Sequence, residues 1–316
     1  MRRFLIKISV VFIVFYTMLY AIQFFYDQGI RTSKDVEHRQ WNRVATGDIN
    51  AEILFLGSSR ALVQYDPRIF ENEMNTSAFV LGMNSTSFDL QRVVRDLYLD
   101  NNTPPKIFVQ NVDITSFNKT PAFYKAPYLP YYSIKNVKLL HEVEKDAFWE
   151  WLLPMYKYRS YVQNYQKLFK YDGIIKYNGY EEKDITWDTY LEEAKTNPKR
   201  KKVDLATFDY DKGFAIMEDL IAKMDALDTE LYFVWAPEYF ERLPKEEPYL
   251  SMALERFRAF EKNNDHVHFL NFTKDSLIYK KDYFYNDFHL NKKGVQIYNR
   301  KVIDSIKERS PNLIID

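Results

Sequence analysis

Ser59 and His289 are the residues whose types and settings best fit nucleophilic chemistry in this 316-residue chain. Ser59 stands in Gly57-Ser58-Ser59-Arg60-Ala61, directly after the apolar run 52–56 (Glu-Ile-Leu-Phe-Leu). His289 stands in Asn286-Asp287-Phe288-His289-Leu290-Asn291, just before the last helix-like segment. A serine hydroxyl is a weak nucleophile and needs a base within hydrogen-bond reach, itself held by a third group. Of the five histidines, His289 alone lies in a loop flanked by an acid and a helix start. His266 and His268 alternate at the start of a strand-like run, and His38 and His141 sit in charged helix-like segments. The chemistry these residues suit is acyl transfer, with Ser59 as nucleophile, His289 as base and Asp287 as the acid that orients the ring.

The elements needed to bring 59 and 289 together are legible as alternating runs. Strands are predicted over 52–56, 77–81, 106–110, 231–235 and 267–271, each a short apolar run bounded by turn residues. Helices are predicted between them. One starts near Ser87 with Leu90, Val93, Val94, Leu97 and Tyr98 on one face. Another carries Phe214, Met217, Leu220, Ile221 and Met224, a third spans about 249–262, and the last begins near Gly294. Five strands joined by helices predict a three-layer α/β/α domain with a roughly five-stranded parallel sheet, flavodoxin-like in layout. Ligands of such sheets bind outside the carboxyl ends of the strands. Ser59, Gly82, Asn111 with Asp113, Pro237 with Glu238, and Asp287 with His289 all follow predicted strand ends. Of these, Asp113 reads as a loop cap and Glu238 as a solvated turn residue; Arg60, next to Ser59, reads as a surface charge rather than a phosphate or carboxylate contact.

Composition sets limits. Hydrophobic residues at 46% exclude global disorder, and a net charge of zero gives nucleic acid no electrostatic footing. The chain has no cysteine, so disulfides, thiolate metal sites and a lipoprotein anchor are out, and no His/Asp/Glu cluster shows metal-ligand spacing. No cofactor is expected. Arg2, Arg3 and Lys7 precede nineteen uncharged residues, Ile8 to Tyr26. As a helix these span roughly 28 Å, enough to cross a bilayer, and the basic flank predicts a cytoplasmic N-terminus. Without an A-x-A-like cleavage site, the run reads as a retained anchor rather than a signal peptide; a mature enzyme released by cleavage is the alternative. The predicted organisation is therefore a flank and anchor over 1–27, a linker over 28–50 and an α/β domain over 51–316. A Tyr-rich helical insertion interrupts that domain at about 118–209 and ends in an exposed basic loop at 197–202.

Gly57-Ser58-Ser59 resembles the Gly-Asp-Ser block of SGNH/GDSL hydrolases, with Ser58 in the aspartate place and Ser59 as nucleophile. Gly82 resembles the glycine of the second block, and His289-Leu290-Asn291 followed by Gly294 resembles the last block. The layout differs from the α/β-hydrolase elbow Gly-x-Ser-x-Gly, because Ala61 fills the final glycine position. Two blocks depart from the pattern. Gln110-Asn111-Val112-Asp113 stands where Gly-x-Asn-Asp is usual, and Asn286, not an acid, lies three residues before His289. The resemblance, closest to membrane-anchored members acting on envelope polymers, implies a serine esterase or O-acyltransferase for a cell-envelope polysaccharide, most simply with acetyl groups. It implies an oxyanion hole of Ser59 N–H, Gly82 N–H and the Asn111 amide, an extracytoplasmic domain, and a membrane-bound acyltransferase as partner. A non-catalytic glycan-binding or assembly subunit with drifted blocks is the other reading.

Overall fold

The computed structural model describes residues 1–33, 36–119, 126–141, 143–161, 176–188 and 204–313; the predicted basic loop at 197–202 falls outside them. In chain order the elements are α1 (Arg2–Arg31), α2 (Val36–Thr46), β1 (Ile53–Gly57), α3 (Ser59–Gln64), α4 (Pro67–Met74), β2 (Ala78–Gly82), α5 (Phe88–Asn101) and β3 (Ile107–Asn111). There follow α6 (Ile134–Leu140), α7 (Ala147–Leu152), α8 (Tyr210–Asp225), β4 (Glu230–Trp235), α9 (Tyr249–Asn263), β5 (Val267–Asn271), β6 (Phe284–Asn286), β7 (His289–Leu290) and α10 (Lys292–Arg309). The chain divides into two compact units. One comprises residues Met1–Asp48 and Tyr124–Ile174, the other Ile49–Phe123 and Ile175–Asp316.

The second unit is built on a five-stranded parallel sheet of order β2-β1-β3-β4-β5. Its strands are mostly apolar at successive positions because helices cover both faces. Ile53 and Phe55 of β1, Val80 of β2, Val109 of β3 and Val234 of β4 lie in one core with Phe70 of α4 and Tyr298, Val302 and Ile306 of α10. On the other face, Phe233 meets Phe257 and Phe260 of α9, and Phe214 of α8 meets the same two rings. The exposed edge of β2 is covered by residues of the Tyr-rich stretch, Val80 N–H donating to Asn178 O (2.8 Å), which leaves less edge open to unwanted pairing.

The first unit holds α1, thirty residues long and apolar enough to cross a membrane. Asp27, near its end, accepts from Lys157 Nζ (2.7 Å) and Tyr158 Oη (2.5 Å). Helix α2 follows over part of the predicted linker.

One close approach governs the placement of α3. A Cβ on Gly82 would lie 2.1 Å from Leu62 N and 2.5 Å from Leu62 Cα, so the helix packs against β2 only because residue 82 has no side chain. The obstructing atoms are backbone and cannot rotate aside. Gly82→Ala is therefore expected to cost on the order of 3 kcal/mol or more, the upper end for overpacking. Urea midpoints of the full chain in detergent measure this; an unchanged midpoint would contradict the close approach.

Candidate active site

Ser58 and Ser59 sit where β1 gives way to α3. Ser58 caps the helix, its Oγ accepting from Arg60 N–H (3.4 Å) while donating to Asp113 Oδ2 (2.7 Å). Asp113 caps the short 3-10 turn at Ile114–Phe117 through Ser116 N–H (3.0 Å), as a loop-capping residue should. One carboxylate thus ties the turn after β1 to the turn after β3. Ser59, the first residue of α3, is half-buried, and its Oγ lies 2.9 Å from His289 Nε2 across 230 residues of sequence.

The ring is oriented by Asn286. Its Oδ1 lies 3.1 Å from His289 Nδ1 and also accepts the backbone N–H groups of Phe288 and His289, both at 2.9 Å. Backbone N–H groups can only donate, so they fix the amide with oxygen, not nitrogen, toward the ring. Nδ1 must then carry the proton, leaving the Nε2 lone pair for the Ser59 hydroxyl. This assigned tautomer is the one a general base requires. Tyr285 stacks on the imidazole (centroids 5.2 Å apart, planes at 3°), and Phe288 meets it edge-on.

Two expectations from sequence are corrected here. Asp287 does not hold the orienting place assigned to it; Asn286 does. Asn286 and His289 are partners across the β6–β7 pair, which places their side chains together, whereas Asp287 lies in the turn between them. The Asp287 carboxylate instead faces Arg242 Nη1 at 3.7 Å. Asn111 is likewise turned inward, its amide donating to Val234 O (3.0 Å) and Tyr65 Oη (3.4 Å). The reason is register. β3 runs one residue further than predicted, so Asn111 is a ladder residue opposite Val234, not a loop residue on the rim. Gly82 also remains within its strand, opposite Gly57, beneath the first turn of α3.

Beside the serine lies a charge network that single-residue reading missed. Arg60 is fully buried, contrary to its reading as a surface charge, its Nη1 on Glu238 Oε1 and its Nη2 on the carbonyls of Ala236 (2.5 Å) and Pro237 (3.2 Å). Glu238 is also fully buried, contrary to its reading as a solvated turn residue. It takes Trp235 Nε1 (3.1 Å) and Arg242 Nε (2.9 Å) as well as Arg60. The guanidinium carbons of Arg60 and Arg242 lie 4.8 and 4.1 Å from the centroid of the Phe288 ring, next to the histidine. Glu246 is the fourth member, Oε1 2.8 Å from Arg242 Nε. Glu238, Arg242 and Glu246 are four residues apart each time but lie in a loop and in turns around a short 3-10 helix, so helical spacing gave no usable signal for the cluster. Burial, and then the charge of Glu238, push the Glu246 carboxyl up to about 9. Glu238 accepts from both guanidiniums, and Glu246, raised by its burial, holds a proton at neutral pH. Among the described residues, no group of three or more His, Cys, Asp or Glu is arranged to hold a metal ion.

No known protein family matches the chain, and no curated protein matches it either. Among solved structures, the chain is similar to one from Bacteroides fragilis described as a candidate acylhydrolase. The TM-score is 0.44 at 11% identity, with 86% of this chain and 95% of that one covered.

The Glu246 proton has a consequence for stability. An unfolded glutamate loses its proton near 4.5, whereas the folded one keeps it to about 9. Between these values only the folded state binds the proton, so stability falls as pH rises. Glu246→Gln cannot titrate, and its melting temperature relative to wild type is expected to climb steadily from about pH 5 to about pH 8.5. A difference that stays flat over this window would show that Glu246 is ionised in the fold.

Proposed function

We propose that the protein is a serine esterase or O-acyltransferase that works through an acyl-Ser59 intermediate. The observation that carries this reading is the relay from Ser59 Oγ to His289 Nε2 (2.9 Å) and from His289 Nδ1 to Asn286 Oδ1 (3.1 Å). Ser59 Oγ attacks the acyl carbonyl as its proton passes to Nε2. The tetrahedral oxyanion collapses, and the ester oxygen leaves with the proton from His289. Water or a sugar hydroxyl then attacks the acyl group, giving its proton to Nε2, which returns it to Ser59. The oxyanion is assigned to Ser59 N–H, at the first helical position where no intrahelical acceptor exists, and to Gly82 N–H. Asn111 is not carried into this role, and Asn286, not Asp287, serves as the orienter.

The same reading takes α1 as a retained single-pass anchor with a cytoplasmic basic flank, which puts the α/β unit outside the cytoplasm. The substrate class proposed is an O-acylated cell-envelope polysaccharide, most simply acetylated, with a membrane-bound acyltransferase as the supplier of acyl groups. This rests on the resemblance of the Gly57-Ser58-Ser59 and His289 blocks together with the anchor.

A non-catalytic accessory subunit is the second reading, favoured by the uncharged Asn286 and the inward Asn111. A fluorophosphonate probe separates the two. Wild type is expected to be labelled and Ser59→Ala not; a folded wild type that binds glycan but takes no label supports the accessory reading and sinks the enzyme.

Asn286→Asp keeps the acceptor geometry and adds the negative charge that stabilises imidazolium. In a serine enzyme it is expected to raise kcat/KM on an aryl acetate about ten-fold or more, because the tautomer is already correct and only the charge is added. A loss of activity would contradict the relay as drawn.

A further inference from the structure

Helix α7 is turned inside out. Its sequence, Ala-Phe-Trp-Glu-Trp-Leu, exposes the aromatics and hides the charge: Phe148 is 44% and Trp149 50% exposed, whereas Glu150 is fully buried. Glu150 accepts from Arg159 Nη1 (2.6 Å) and Tyr132 Oη (3.0 Å), and neighbouring Asp146 pairs with Arg159 Nη2 (2.6 Å). Water outside this helix would favour the opposite arrangement.

The same unit states how deep α7 lies. The segment after it runs beside α1, with Tyr20 Oη donating to Leu152 O (3.2 Å), Met155 N–H donating to Gln23 Oε1 (2.7 Å), and Lys157 and Tyr158 on Asp27. From Asp27 back to Tyr20 is roughly 10 Å along a helix. Leu152 therefore stands level with residues inside the apolar run, about 10 Å below the first charged group that ends it. Phe148, Trp149 and Leu152 are exposed, as are Tyr16, Tyr20 and Phe24 of α1.

We propose that α7 is a membrane-interface element, with Phe148, Trp149 and Leu152 seated at the boundary between lipid headgroups and acyl chains. Trp and Phe suit that boundary, where an apolar body meets a hydrated surface. The contact gives the first unit a second point of membrane attachment beside α1 and fixes its rotation about that helix. The proposal rests on reading α1 as a membrane span.

Full-length protein reconstituted in vesicles of phosphatidylcholine and phosphatidylglycerol tests it, with shallow brominated phosphatidylcholine as quencher of tryptophan fluorescence. Wild type is expected to float with the vesicles and be quenched. Trp149→Phe, a conservative change at a half-exposed site, is expected to float equally and lose at least about half of the quenching, as suits a ring at the interface. Equal quenching in both proteins, with flotation intact, overturns the interface assignment alone. Failure of wild type to float overturns the span itself and this surface with it.

Discussion

The buried pair of Arg60 and Glu238 is the constraint on which the rim around Ser59 and His289 depends. Removing two such charges from water costs several kcal/mol each, and only complete hydrogen bonding offsets it. Here the bonding is extensive: Arg60 also reaches the carbonyls of Ala236 and Pro237, and Glu238 takes Trp235 and Arg242. The pair therefore contributes less to net stability than to fixing positions, because losing one partner strands the other at about 3–5 kcal/mol. Arg60 follows Ser59 directly, and Glu238 lies just beyond β4. Through Phe288, between Arg60 and Arg242, the same charges steady the loop that presents His289.

What the rim holds is a relay with little charge of its own. Asn286 orients the imidazole through three donors on one oxygen, and thereby selects the tautomer without an acid. An amide cannot stabilise imidazolium by charge, so the arrangement secures geometry and protonation state but leaves the electrostatic contribution out. The nearby carboxylates do not supply it directly, since Glu238 is committed to two guanidiniums and Glu246 carries a proton.

The first unit solves a different problem with the same physics. Around α7, charges turn inward to partners and rings turn outward. Glu150 with Arg159 and Asp27 with Lys157 are paired within the unit, while α1 and α7 present apolar surface. An aqueous surface reverses this order, as α10 illustrates: Tyr298, Val302 and Ile306 are buried in the core, while Arg300 on its outer side is exposed.

The sequence by itself determined the sheet, a first helix long and apolar enough to cross a membrane, and the pairing candidates Ser59 and His289. Five apolar runs bounded by turn residues become five parallel strands, because local pattern suffices when both faces of a sheet are buried. Ser59 and His289 were legible because each follows a strand or opens a helix in a recognisable block. Tertiary structure alone decided the rest. A one-residue extension of β3 turned Asn111 inward, and a cross-strand pairing chose Asn286 over Asp287. Glu238 became a buried hub because Arg60, 178 residues away in sequence, arrives beside it. Strand register and long-range charge pairing depend on where other segments come to lie, and no local window of residues records that.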